Sequence, residues 1–179
     1  MKPLVIAAAA VAALGLSTAA AQAQPLAPTT WYGSVGYAGT HVEGVGLGAI
    51  QGRLGARFGR YLGVEGELGF GVKGDTINVL GTDTDFRLNH QEAAYVVGFY
   101  PVTPNLDIFA RGGYGHTRLS QDDGVTRDHF NEDSWNYGAG AQYFLNGRDG
   151  VRADWTRHDF TGSSSGNADV WAVGYSHRF

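Results

Sequence analysis

The sequence predicts an all-β fold, an eight-stranded antiparallel up-and-down transmembrane β-barrel. Apolar and polar residues alternate at period two through segments of about ten residues, which is the pattern of strands with one apolar face. Short and long polar connections alternate between these segments, as in barrels that cross a membrane. The 28 glycines and 22 aromatic residues (nine Phe, nine Tyr and four Trp) favour short strands and turns over long helices.

The first 23 residues have the features of a secretory signal peptide. Lys2 precedes an apolar stretch at 4–16, and Ala21-Gln22-Ala23 forms an A-x-A cleavage site. The apolar stretch is too short for a membrane-spanning helix, so we predict one mature domain, residues 24–179. The absence of cysteine excludes a disulfide framework, and the net charge of −4 does not favour a nucleic-acid partner.

The eight strands follow in order from the alternation. Their predicted ranges are 31–39, 47–58, 62–72, 88–100, 106–119, 133–145, 150–160 and 169–179. Short turns are predicted near Arg60, Pro104 and Gly147, and longer polar connections at 73–85, 120–131 and 161–168. In the fourth strand, AAYVVGFY is apolar on both faces, so its facing stays open.

Each of the other strands has one apolar face. Its members, in chain order, are Trp31, Val35 and Tyr37; Ile50, Leu54, Ala56 and Phe58; Val64, Leu68 and Phe70; Ile108, Ala110 and Tyr114; Trp135, Tyr137, Ala139, Ala141 and Tyr143; Val151, Ala153 and Trp155; Trp171, Val173, Tyr175 and Phe179. Tyr and Trp near strand ends suit the aromatic girdles of a membrane barrel. A secreted soluble barrel, with this face inside, is the alternative.

The opposite face carries ionisable residues of both signs, which could pair across a narrow lumen. We predict a lumen ionic network of Arg53, Arg57, Glu65, Glu67, Arg111, Arg152 and Asp154. Such a network favours the membrane arrangement, with the apolar face towards lipid.

Within the network, Glu65 is expected to pair with Arg152, and Arg53 is a competing partner. A turn at 58–60 would place Arg53 directly opposite Glu65 on the neighbouring strand. Glu65 and Glu67 share one strand face and could form an acid–base pair, but the arginines beside them favour ion pairing over catalysis.

Several stretches resemble the OmpA-like or opacity-type outer-membrane barrels, the family of the outer membrane protein A transmembrane domain. They are TWYGSVGYAG, RYLGVEGELGF, FYPVTPNLDIFARGGYG, GAGAQYFLNGRDGVRADW and VGYSHRF. The resemblance covers residues 30–179 and implies an outer-membrane location, with no periplasmic domain expected after the barrel. It also implies an interior plug centred on Glu65, with Arg152 as partner and Asp154 following. The family's lysine falls near Val97 and its second glutamate on Gln142.

The C-terminal stretch resembles the signal that the barrel-assembly machinery reads. We assign Gly174, Tyr175 and Phe179 to this assembly signal. His177 departs from the pattern, because an aromatic residue is usual there.

Two pairs of neighbouring residues, His158–Asp159 and Ser176–His177, raise the question of enzymatic activity. Adjacent strand residues point to opposite faces, so the members of each pair would not cooperate. No nucleophile–base–orienter set is visible, and we predict no catalytic residues and no enzyme activity.

The segment SQDDGVTRDHFNED carries five carboxylates, at Asp122, Asp123, Asp128, Glu132 and Asp133, which could bind Ca²⁺. It lacks the spacing of an EF-hand, and we interpret it as a solvated loop. The glycine-rich runs near Gly44, Gly69 and Gly138 lack the helix that a phosphate site needs. No metal or cofactor is predicted.

An eight-stranded barrel is just wide enough to be filled by its own side chains. We therefore predict a structural or surface-interaction protein of the bacterial outer membrane. A narrow, low-conductance pore is the first alternative, and a lipid-modifying enzyme the second. The predicted partners are outer-membrane lipid and lipopolysaccharide, the barrel-assembly machinery during insertion, and an extracellular ligand held by the outer loops.

Overall fold

A computed structural model describes residues 28–42, 45–73, 75–79, 82–122, 127–161 and 166–179. Of these, 41–42, 45–46, 75–79, 82–88, 119–122 and 127–130 are described by their backbone alone. The predicted signal peptide, 1–23, lies outside the described residues. No helix in the described part is long and apolar enough to cross a membrane.

Nine strands run antiparallel to their neighbours through the described residues. They are β1 (Thr29–Val42), β2 (Val45–Phe58), β3 (Leu62–Lys73), β4 (Asp75–Val79), β5 (Thr82–Pro101), β6 (Leu106–Asp122), β7 (Arg127–Phe144), β8 (Asp149–Phe160) and β9 (Asn167–Arg178). Strand β1 pairs with both β2 and β9, and β3 pairs with both β2 and β5. The predicted closed barrel of eight strands is confirmed, and β4 is an additional strand that pairs with β5.

The predicted connections at 73–85 and 120–131 are longer than those in the structure. β4 and the start of β5 lie in the first, while β6 extends to Asp122 and β7 begins at Arg127 in the second. The hydrophobic alternation marks only the part of a strand that has an apolar face. Backbone pairing continues beyond it, because hydrogen bonding between strands does not require apolar side chains.

The seam between β1 and β9 closes the ring and leaves neither strand with a free edge. Its register runs from Tyr32 opposite Arg178 to His41 opposite Asp169. Gly36 and Gly174 face each other in this register, and a Cβ on Gly36 would lie 2.7 Å from the Gly174 Cα. Bare backbone is therefore required at this point of the seam.

Three short turns, 59–61, 102–105 and 145–148, lie at one end of the barrel, here called the short-turn end. At the opposite end the strands extend beyond the apolar part of the wall, as in the hairpin of β6 and β7 up to Asp122 and Arg127, and this end is called the long-loop end. Gly59 and Gly147 have φ angles of 66° and 80°, a region that glycine enters without steric cost. In the first turn Phe58 pairs with Leu62, so Arg53 lies opposite Glu67 and the predicted turn at 58–60 was wrong. Gly59 begins the turn instead of occupying its centre.

The outer face is apolar, as predicted for a membrane barrel. Leu54, Phe70, Trp135 and Trp171 are 56%, 57%, 61% and 67% exposed. Charged residues of the inner face, among them Glu65, Arg111 and Arg152, are at most 4% exposed in the lumen. The outer wall therefore faces lipid and the inner wall carries the charge.

The structure shows which face of β5 points into the lumen, a question that the sequence left open. Tyr95, Val97 and Phe99 are at most 3% exposed and form one core cluster with Tyr32 and Phe109. This cluster is called the aromatic layer. The interior of the barrel is therefore partly apolar, which the alternation pattern did not predict.

Candidate functional site

Six charged side chains meet in the middle of the lumen, and they form the central cluster. They are Arg53, Arg111, Arg152, Glu65, Glu67 and Asp154. Three guanidinium groups face three carboxylates, so the formal charges of the cluster cancel. None of the six side chains is more than 7% exposed. The burial of each charge is offset by direct contact with opposite charges.

Glu65 on β3 accepts four hydrogen bonds from three residues. Arg152 on β8 donates from Nη1 to Oε2 at 2.6 Å and from Nη2 to Oε1 at 3.1 Å, in a bidentate pair. Arg111 Nη1 donates to Oε1 at 3.0 Å, and the Tyr32 hydroxyl donates to Oε2 at 3.0 Å. Arg53 Nε lies farther away, at 3.9 Å from Oε1. Arg152 and Arg111 are thus closer partners of Glu65 than Arg53 is.

Glu67 binds the arginine that lies opposite it in the sheet. Arg53 Nε donates to Oε2 at 2.7 Å, and Arg111 Nη1 donates to the same oxygen at 2.8 Å. The Tyr95 hydroxyl and the Gln91 side-chain amide reach Oε1 at 3.3 and 3.4 Å. Both glutamates are therefore held as hydrogen-bond acceptors, which argues against a shared proton between them.

Asp154 contacts all three arginines of the cluster. Its carboxylate lies 2.9 Å from Arg53 Nη2, 3.1 Å from Arg111 Nη2 and 3.8 Å from Arg152 Nε. Neither oxygen makes a hydrogen bond with good alignment in the described structure. Asp154 therefore compensates the positive charge of the three arginines without holding their side chains by hydrogen bonds.

Arg57 lies apart from the other six predicted network residues, at the short-turn end. Its Nη1 donates to Asp107 Oδ2 at 2.8 Å, and Gln142 Nε2 and Arg178 Nη2 reach the same oxygen at 3.0 and 2.6 Å. Arg57, Asp107, Gln142 and Arg178 are called the short-turn cluster. Asp107 and Arg178 were not predicted as site residues, although alternation places both on the inner face near strand ends.

The aromatic layer separates the two clusters and contacts both. Arg57 lies over the Phe99 ring at 4.5 Å and Arg152 over the Phe109 ring at 4.2 Å, which are cation–π distances. The Phe99 and Phe109 ring centroids are 6.1 Å apart, and Tyr32 meets Phe99 edge to face at 5.9 Å. Charged and apolar groups therefore alternate along the barrel axis.

Two positions that the family resemblance singled out hold uncharged residues inside the barrel. Val97 is fully buried in the aromatic layer. Gln142 belongs to the short-turn cluster through its bond to Asp107. In this chain the lysine and second glutamate of the implied plug are thus replaced by an apolar residue and a neutral amide.

The residue pairs considered for catalysis are divided between the two faces. His158 and Ser176 point inward and are at most 2% exposed, whereas Asp159 and His177 lie on the outer wall. Among the described residues no group of three or more His, Cys, Asp or Glu side chains could hold a metal ion. Asp122, Asp123 and Asp128 of the acidic segment lie outside the described side chains.

The residues assigned to the assembly signal lie on both sides of β9. Gly174 points inward, while Tyr175 and Phe179 are 48% and 72% exposed on the outer wall. His177, between them, lies 2.7 Å through Nδ1 from Asp149 Oδ1 and stacks on the Tyr175 ring at 6.4 Å. The imidazole thus lies between the rings of Tyr175 and Phe179 and contacts a carboxylate of β8.

A closed antiparallel ring with an apolar outer wall and an ion-paired interior defines a transmembrane β-barrel of the outer-membrane type. The chain belongs to the outer membrane protein beta-barrel domain family, whose model matches residues 6–179. It is a protein of the bacterial outer membrane, in contact with the lipid of that membrane. The search of curated proteins found no match.

Solved structures share the fold at low sequence identity. Ail of Yersinia pestis, the attachment invasion locus protein, solved in complex with the heparin analogue sucrose octasulfate, is 17% identical, with a TM-score of 0.59 over 84% of this chain and 97% of that one. The N-terminal β-barrel domain of Pseudomonas aeruginosa OprF is 11% identical, with a TM-score of 0.60 over 86% and 99%. Neisserial surface protein A is 11% identical, with a TM-score of 0.55 over 87% and 98%.

Proposed function

We propose that this protein is a closed outer-membrane barrel with a structural or surface-interaction role. The observation that supports the proposal is the burial of the central cluster, whose six side chains are no more than 7% exposed. A lumen filled with its own paired side chains offers solutes no wide water path, unlike the lumen of a large porin. The barrel would act through its outer surface and its loops.

The short-turn end would face the periplasm and the long-loop end the cell exterior. Barrels of this type have short periplasmic turns and longer extracellular loops. Loops held by a rigid scaffold are common binding elements. The sucrose octasulfate bound to Ail is a precedent for a ligand on this fold.

Conductance separates the closed barrel from the alternative of a narrow pore. Purified, refolded protein in a planar lipid bilayer should give no stable conductance steps above the leak of the empty bilayer. A large porin treated in the same way supplies the positive control. Reproducible steps from most inserted molecules would refute the closed barrel and favour the narrow pore.

Loop trimming separates the structural role from the surface-interaction role. Loss of the whole protein should raise the detergent sensitivity of cells if the role is structural, and replacement of 120–131 and 161–168 by short turns should then have no effect. In a surface-interaction role the trimmed protein should lose adhesion or aggregation of cells while detergent resistance is kept. Correct insertion is checked by heat-modifiability on gels of outer-membrane fractions.

We also propose that the barrel has no enzymatic activity. The division of His158 from Asp159, and of Ser176 from His177, between inner and outer walls supports this view, because neither histidine can act together with its neighbour in the chain. Mass analysis of lipid A from cells with and without the protein tests the proposal. A mass difference that requires the protein would contradict it.

A further inference from the structure

The short-turn cluster is built around one carboxylate oxygen. Asp107 Oδ2 accepts hydrogen bonds from Arg57 at 2.8 Å, from Arg178 at 2.6 Å and from Gln142 at 3.0 Å. The side chain of Asp107 is 5% exposed, and those of Arg57 and Arg178 are 12% and 21% exposed. Convergence of three donors on a buried acceptor fixes all four side chains in one place.

These contacts cross the mouth of the barrel. Asp107 lies on β6 and Arg57 on β2, which are separated in the ring by β3 and β5. Arg178 lies on β9, which is separated from β6 by β7 and β8. Arg178 also lies 3.5 Å from the centre of the Phe144 ring, which is fully buried. Side chains from opposite walls therefore meet over the short-turn mouth of the lumen.

We propose that the short-turn cluster is a second seal of the lumen, in series with the central cluster. The inference rests on the proposed closed barrel, and it adds that the lumen is closed at two levels. Phe99 and Phe109 pack between Arg57 and Arg152. Gln142 lies opposite Arg152 in the sheet, but no hydrogen bond or ion pair among the described side chains joins the two clusters, so each seal has its own set of polar contacts. Two arginines share one aspartate here, so the cluster already has one formal positive charge in excess, and removal of Asp107 would leave two.

The last strand is needed to complete this seal. Arg178 is the last residue of β9, and it reaches Asp107 when β9 has paired with β8 and β1. The strand that closes the wall of the barrel thus also brings one of the three donors that close its mouth.

Conductance of four proteins in planar bilayers tests the second seal: the wild type, Glu65→Ala, Asp107→Ala and the double variant. Either single variant should stay nearly closed, because the other level still blocks the lumen. The double variant should conduct many-fold more than either single variant, because the barriers lie in series and either one that remains is enough to block the lumen. In a KCl gradient its reversal potential should indicate anion preference, because Arg57 and Arg178 have lost their carboxylate.

A matched control is Glu92→Ala, which removes an exposed carboxylate from the outer wall of β5. This substitution should leave the conductance of the wild type and of Glu65→Ala unchanged. Asp107→Asn replaces Asp107→Ala if the alanine variant fails the heat-modifiability test of folding. A second seal is excluded if Glu65→Ala alone conducts as much as the double variant, or if the double variant conducts no more than the wild type. If Asp107→Ala alone equals the double variant, the central cluster is no barrier, and that result contradicts the proposed central closure itself.

Discussion

Replacement of Glu65 by alanine should destabilise the barrel strongly. Glu65 has a side chain with no exposed surface, and it accepts two hydrogen bonds from Arg152, one from Arg111 and one from Tyr32. Without it the nearest carboxylate to Arg152 is Asp154, 3.8 Å from Nε. Loss of one partner from a buried ion pair costs about 3–5 kcal/mol, because the surviving charge stays buried.

The double variant Glu65→Ala/Arg152→Ala should recover part of this loss. It removes one charge of each sign, which leaves Arg53 and Arg111 with Glu67 and Asp154 in a neutral cluster. We expect a coupling energy of about 1–3 kcal/mol from the double-mutant cycle. Urea unfolding in lipid vesicles supplies the free energies, with fluorescence of the outward-facing tryptophans reporting the loss of the lipid-embedded wall.

The matched control cycle uses Arg157 and Asp169, an ion pair on the outer wall. Their side chains are 32% and 37% exposed and the closest atoms are 3.4 Å apart. A partly exposed pair of this kind should show a coupling of only about 0–1 kcal/mol. Strict additivity of Glu65→Ala and Arg152→Ala, or a coupling no larger than in the control, would refute the argument from burial.

Three further predictions concern topology, assembly and the closing seam. Protease added to whole cells should cut within 120–131 and spare the turn at Arg60, because the long-loop end is expected outside the cell; the reverse pattern would invert the topology. Deletion of Phe179, whose backbone N–H bonds Trp31 O at 2.9 Å, should lower the amount in the outer-membrane fraction more than any loop deletion does. Gly36→Ala should cost roughly 1–3 kcal/mol in urea unfolding by overpacking the seam. Gly52→Ala should be nearly neutral, since a methyl group there would meet no atom within 4 Å beyond its neighbours in the chain.

Alternation separated the two faces of every predicted strand except the fourth, and the mixed charges of one face assigned that face to the lumen. Arg53 and Leu54 illustrate this, because one is buried in the lumen and the other is 56% exposed on the outer wall. Successive side chains of a strand point to opposite faces. Once one residue is assigned to a wall, the facing of the other residues in the same strand follows. The same argument placed Arg152 and Glu65 inside, where the structure brings them into contact.

Register and depth could not be predicted in the same way. A shift of two residues preserves every facing, so alternation cannot distinguish Arg53 opposite Glu65 from Arg53 opposite Glu67. Only the conformation of the turn at Gly59 decides between them. Alternation also fails for β5, where both faces are apolar, and so the aromatic layer around Phe99 was missed.

The separation of Arg57 from the other predicted network residues could not be predicted, for a similar reason. Period two identifies which residues point inward, but it does not report their height along the barrel axis. Arg57 and Arg53 are four residues apart on β2, and the structure gives them different carboxylate partners, Asp107 and Glu67. Height follows from strand register, which the sequence alone leaves open.

The distribution of the central cluster around the ring has a consequence for how the chain folds. Its members come from β2, β3, β6 and β8, so most of its contacts join residues that are far apart in sequence. Such contacts form late, after the sheet has curved into a ring. Interactions that are absent from the transition state slow unfolding more than they speed folding. A buried network that adds little to equilibrium stability can therefore still give the inserted protein a long lifetime.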